Sequence, residues 1–219
     1  MIALVAMIVG VATAMNLSTE HGRNLNSAGV TSPGALPETA APSHGGKHYK
    51  VVSYPTPNFD KEKVNEVKGV VLHHTAEPTI ERSLAVLTSK RKRVGTHVVI
   101  DTDGTRYVMA EPTRVVFHAG RSVLNGRDGC NDFTIGIEFQ GNTLEQPLTD
   151  DQISSAIEYL LPLMRRYNIP VSNVVTHEMV RNAYKQKHPG VRCHDKVDIA
   201  SADYLRFMKA FRRAMRRGR

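Results

Sequence analysis

Four polar islands interrupt otherwise apolar stretches of this 219-residue chain. His73 and His74 close GVVLHH, His177 and Glu178 follow NVVT, a third island runs from His188 to Asp198, and Glu138 sits inside FTIGIEF. A catalytic zinc takes three protein ligands from His, Asp, Glu or Cys and leaves a fourth position for water. Strands ending in VVLH and VVTH would carry two imidazoles to the same sheet edge. Successive side chains of a strand point to opposite faces, so His73 and His74 cannot both enter one pocket. A histidine beside a strand is by itself more often a hydrogen-bonded polar group than a ligand. Glu138 adds weight, because a carboxylate between Ile137 and Phe139 is partly desolvated and needs a partner or a role. Acting as general base on water beside a metal is such a role. The plain alternative is a glutamate on the polar face of a half-exposed strand.

The elements that must position these residues are short β-like segments alternating with helical ones. Strands are expected at KGVVL (68–72), THVVID (96–101), TRYVM (105–109), FTIGIEF (133–139) and NVVT (173–176). Asp103-Gly104 is a hairpin turn signal that pairs the second and third of these antiparallel. Thr149 followed by Gln152 is a capping-box pattern. It opens an amphipathic helix with Ile153, Ile157, Leu160, Leu161 and Met164 on one face, and Pro162 inside it should kink it or shift its boundary. Segments 78–89 and 201–215 are further helix candidates. The fold class expected is α/β, a single domain with a central mixed β-sheet flanked by helices.

The first fifty residues differ in composition. Residues 1–16, MIALVAMIVGVATAMN, form an apolar leader with a small-x-small pattern at Ala12-Thr13-Ala14. They read as a signal peptide or short anchor, although no Lys or Arg precedes the apolar run. Residues 17–48, rich in Ser, Thr, Gly, Pro and Ala, read as a flexible tether, leaving 49–219 as the folded domain. Export to the periplasm, cell envelope or exterior follows from that leader. The two cysteines, Cys130 and Cys193, are too few for a disulfide scaffold, and their spacing does not establish a pair. A formal charge of +8 points to an anionic partner or to a merely soluble basic surface.

Taken in order and at their separations, VVLHHTA, FHAGRS, GCNDFTIGIEFQGN and VVTHE resemble the type 2 N-acetylmuramoyl-L-alanine amidases. That family also holds the peptidoglycan recognition proteins and phage-lysozyme amidases. GRDGCNDFTIGIEFQGNTLEQPLTDDQ is especially similar to the branch acting on anhydro-muropeptides, and the resemblance covers roughly residues 49–210. It implies a Zn2+ ion held by His73 and His177, with Glu138 as catalytic glutamate and His74 turned away. The family's third ligand stands in Lys-x-Asp or Lys-x-Cys. Two imperfect counterparts occur here: QKHPG, which would make His188 the ligand, and Lys196-Val197-Asp198, which keeps both lysine and aspartate. The second is preferred, with Asp198 as ligand and Lys196 steadying the oxyanion. Cys193 is a third option. His97 and His118 match positions lining the substrate groove, a core role for His97 being an equal alternative. Asn131 is placed at the site as a loop residue that shapes it.

The function implied is zinc-dependent hydrolysis of the amide joining N-acetylmuramic acid to L-alanine in peptidoglycan or muropeptides. The alternative is a non-catalytic peptidoglycan-binding module, against which the retained His73, His177 and Glu138 argue. KRKR (90–93) and the C-terminal FMKAFRRAMRRGR prompt a nucleic-acid reading, but no aromatic platform accompanies them and no nucleic-acid partner is expected. The basic C-terminal helix suits an anionic envelope surface instead.

Overall fold

The structure is a computed structural model that describes residues 47–193 and 198–217. The leader, the tether up to residue 46 and Lys196 lie outside the described residues. The described chain builds ten strands and four helices: β1 (Val51–Ser53), β2 (Phe59–Val64), β3 (Gly69–His74), α1 (Ile80–Thr88), β4 (Val98–Ile100), β5 (Arg106–Val108), β6 (Arg114–Val116), β7 (Val123–Leu124), β8 (Arg127–Asp128), β9 (Thr134–Phe139), α2 (Asp150–Arg166), β10 (Val174–Thr176), α3 (His177–Lys187) and α4 (Ser201–Arg217). Six strands form a mixed sheet in the order β1-β5-β4-β9-β3-β10; β2 pairs with β6 and β7 with β8 in separate two-stranded ribbons. Within the main sheet only β4 and β5 are antiparallel. They are joined by the expected turn, where Gly104 takes φ +85.

β3 and β9 are buried at every position, which explains why both read as near-continuous apolar runs. Their pleat sorts side chains between two layers. Val70, Leu72, Ile135, Ile137 and Phe139 pack under α2 and α4 in the principal core, joined by Leu160, Phe207 and Phe211. Gly69, Val71 and His73 of β3, with Gly136 and Glu138 of β9, face the other side. There Val71 and Val175 pack with Ala119, Leu124, Cys130, Phe133 and Val180. The sheet therefore separates a hydrophobic layer from the layer that carries the polar islands.

The capping box forms as the sequence predicts: the Thr149 hydroxyl accepts from Gln152 N, and Gln152 Oε1 accepts from Thr149 N. Pro162 does not end α2, which runs on to Arg166. Pro162 is exposed, so the helical carbonyl lacking its usual N–H partner can turn to water. Segments 78–89 and 201–215 appear as α1 and α4, whereas α3 and the β2–β6 ribbon were not anticipated. Among the described residues, no helix is long and apolar enough to cross a membrane.

His97 requires a correction. Rather than lining a groove, it is fully buried, and both ring nitrogens are committed to backbone: Nδ1 accepts from Gly136 N at 2.9 Å and Nε2 donates to Arg114 O at 3.0 Å. Burial pushes its pKa down to about 4. The unfolded chain takes up this proton near pH 6.5 and the folded chain only near 4, so stability falls as pH drops through that window. His97→Gln keeps an acceptor and a donor without titrating. Urea unfolding at a series of pH values should show the wild type losing about 3 kcal/mol more than the variant between pH 7 and 4. Parallel curves would overturn this assignment.

Candidate active site

β3, β9 and β10 lie side by side and parallel, so the residues at their C-terminal ends arrive at one edge. His73 pairs in register with Glu138, which puts both on the same face. His177 follows β10 as the first residue of α3, whose N-cap is Thr176. Asp198 enters from the segment before α4 and is fully buried. One donor atom each from His73, His177 and Asp198 lies within 4.8 Å of the others. Asp198 Oδ2 stands 2.5 Å from His177 Nδ1, and its Oδ1 stands 3.9 Å from His73 Nδ1. His188 lies elsewhere: it caps α3 and bonds Asp128 at 2.9 Å. Cys193 lines the cavity but does not join the cluster, and both cysteines are free.

The hydrogen bonds around the cluster assign its tautomers. His177 Nε2 lies 3.2 Å from the Ala119 carbonyl, which can only accept, so with a cation in the cluster the proton sits on Nε2 and the Nδ1 lone pair faces the ion beside Asp198. His118 Nε2 lies 3.4 Å from Thr134 O, again an acceptor, leaving His118 Nδ1 to accept from His73 Nε2 at 3.2 Å. His73 Nδ1 is then also unprotonated and turned toward the cluster, 3.9 Å from Asp198 Oδ1. Burial and the neighbouring imidazoles of His73 and His97 hold the His118 pKa well below its ordinary value, consistent with its accepting role. Two imidazole lone pairs and a carboxylate converging on one point repel each other unless a cation lies between them. The 2.5 and 3.9 Å separations bracket the roughly 3.4 Å between ligand atoms of a tetrahedral zinc. The residues present therefore fit a divalent metal of the zinc type.

Surrounding residues hold this geometry from both faces of the sheet. Asn131 Oδ1 accepts from the backbone N–H of His118 and of Ala119, fixing the peptide whose carbonyl orients His177. Asn131 lines the cavity, yet that oxygen is committed to shaping the loop. A Cβ on Gly136 would stand 2.6 Å from His118 Cγ, so only glycine admits the imidazole there. On the other face His74 Nδ1 bonds Thr143, whose hydroxyl accepts from Ala200 N. His74 thus ties β3 to the backbone two residues beyond Asp198. Neither Thr143 nor the Gly136 requirement was singled out in the sequence, because each acts through contacts distant along the chain.

The cluster opens into a cavity of about 620 Å³ whose lining includes His73, His118, Glu138 and His177. Glu138 is 7% exposed on its wall. Arg93, Arg121 and Arg192 also line it, giving it cationic character.

Comparison with known proteins bears on what this site is. Residues 63–191, more than half of the chain, match the family described as N-acetylmuramoyl-L-alanine amidase. Over 88 residues the chain is 41% identical to the 1,6-anhydro-N-acetylmuramyl-L-alanine amidase AmpD of Haemophilus influenzae, covering 39% of this chain and 46% of that protein. Over 85 residues it is 35% identical to AmpD of Citrobacter freundii, covering 39% and 45%. The chain thus spans about half the length of the curated relatives it matches. In fold it resembles a crystal structure of an AmpD derivative, with TM-score 0.55, 22% identity, and 72% of this chain and 94% of that one covered. It also resembles the solution structure of the PlyG catalytic domain, with TM-score 0.55, 16% identity, and coverage of 76% and 95%. The extent of the family match, together with the shared mixed-sheet fold, makes the chain a member of the N-acetylmuramoyl-L-alanine amidase family.

Proposed function

We propose that the protein is a zinc-dependent N-acetylmuramoyl-L-alanine amidase that hydrolyses the amide between N-acetylmuramic acid and L-alanine in muropeptides or peptidoglycan. The observation that carries this reading is the convergence of His73, His177 and Asp198 beside Glu138 in one cavity. In this proposal those three residues hold the zinc, which supplies Lewis acidity that polarises a carbonyl and makes water more acidic. Glu138, held in register beside His73, takes the proton of the attacking water and delivers it to the departing amine. His118 keeps His73 in the tautomer that presents Nδ1. Lys196, outside the described residues, retains the role that the family resemblance implies, steadying the oxyanion. The cationic cavity lining suits the carboxylates of a stem peptide, and the AmpD relatives are named for a muropeptide substrate of this class. Export to the periplasm or cell envelope belongs to the same proposal and rests on the apolar residues 1–16.

The test is incubation of the full chain with purified muropeptides, with products identified by mass spectrometry. Stem peptides beginning in L-alanine, released with zinc and not after chelation, are the expected result. Tight muropeptide binding without cleavage at full zinc occupancy would reject the enzyme in favour of a binding module.

A further inference from the structure

We propose that the solvent face of α4 is a docking surface for a bilayer rich in anionic phospholipid. At 3.6 residues per turn, Leu205, Lys209, Arg212, Arg213, Arg216 and Arg217 fall within an arc of roughly 140°. All six are exposed. The opposite side of the helix carries the buried Phe207, Met208 and Phe211. Phe207 and Phe211 stack with ring centroids 5.7 Å apart, and Tyr204 donates to Val174 O at 2.9 Å. The helix is thus seated in the principal core, and its cationic face is presented by a fixed element.

The cations of this face lack compensating charge among the described residues, as do those at 90–93, but only here do they stand on one face of a helix seated in the principal core. Six basic side chains elsewhere meet carboxylates: Lys47 with Asp151, Lys63 with Asp132, Arg82 with Glu77, Arg106 with Glu158, Arg127 with Glu66, Lys187 with Asp128. On α4 only Arg206 does so, with Asp150 and Asp203 at the N-terminal end. Among the described residues, none of Lys209, Arg212, Arg213, Arg216 and Arg217 has an ion-pair partner. Five like charges along about 12 Å of helix repel one another, and an external array of anions removes that repulsion.

The shape of the face favours a planar array over a discrete anion. A convex helix surface has no concavity to enclose a single phosphate, while long arginine side chains reach several headgroups at once. No exposed aromatic residue lies on the face to stack a nucleobase. Leu205, 66% exposed at the edge of the cations, offers an apolar contact at headgroup depth.

The experiment is co-sedimentation of the full chain with vesicles of phosphatidylcholine alone and of phosphatidylcholine with phosphatidylglycerol. The wild type is compared with R212Q/R213Q/R216Q and with R212K/R213K/R216K. Each lysine or arginine near an anionic bilayer contributes roughly a fivefold gain in partitioning, so the glutamine variant should bind anionic vesicles about a hundredfold more weakly, while the lysine variant binds like the wild type. Binding should fall with added salt. Circular dichroism and unchanged muropeptide hydrolysis in solution report that the fold is intact, since none of these residues lines the cavity. Equal binding to neutral vesicles, or equal binding by the glutamine variant, would overturn the proposal. So would a preference for single-stranded RNA over anionic vesicles at matched ionic strength.

Discussion

Replacing Glu138 with Gln is expected to lower the turnover of muropeptide hydrolysis by roughly a hundred- to ten-thousandfold, the range over which a positioned acid–base group acts. Zinc content should be unchanged. Glutamine has nearly the same shape as glutamate and fits the same place on β9, between Ile137 and Phe139, whose side chains turn to the opposite face. It cannot take a proton. Glu138 also stands outside the His73, His177 and Asp198 cluster that would hold the ion. Turnover is measured with saturating muropeptide, and zinc by elemental analysis of the purified variant. Retained turnover would remove Glu138 from the chemistry. Lost turnover with lost zinc would make it a support of the metal site instead of the base.

Glu138 was legible because a carboxylate inside FTIGIEF breaks the apolar pattern of a buried strand, and such a break carries an energetic cost that sequence alone exposes. The strands that lead to His73 and His177 were legible for a related reason: sheet positions buried on both faces read as unbroken β-branched runs. The alternation of a strand likewise separates His73 from His74, whose ring reaches Thr143 on the opposite side of the sheet. Other features depend on contacts that local pattern does not encode. His97 looks like a cavity histidine by position, but its nitrogens meet the backbone of Arg114 and Gly136, each from a different strand region. α3 escaped notice because its helical pattern is weak: Val180 and Arg181 are its only buried residues among many polar ones. Its residues run from His177 toward Asp198 along the chain and end within QKHPG, which leaves that stretch as a competing match. Only the folded arrangement takes His188 to Asp128 and away from His73.

Asp198→Ala should therefore abolish zinc-dependent activity, while His188→Ala should leave both zinc binding and turnover close to wild type. Asp198 is fully buried between two imidazoles, and its removal deletes one of three donors and the only negative charge in the cluster. The remaining pair, His73 and His177, would bind zinc far more weakly, because an anionic donor offsets the cation's lost hydration where neutral nitrogen does not. The stability of the apoprotein separates the ligand role from a purely structural one. The Asp198 carboxylate also stands 2.5 Å from His177 Nδ1, so the alanine variant loses a buried polar contact as well as a ligand. Zinc at a thousand times its dissociation constant adds about 4 kcal/mol to the wild type, on the order of 10 °C in melting temperature for a domain of this size. The alanine variant should show almost none of that increment, whatever its apoprotein melting temperature, and the His188 variant should show all of it. Differential scanning calorimetry with chelator and with added zinc reads both quantities. A full zinc increment in Asp198→Ala would remove Asp198 from the ligand set, and loss of the increment in His188→Ala would place the third donor at His188 in solution and require the 188–198 segment to reorganise around the ion.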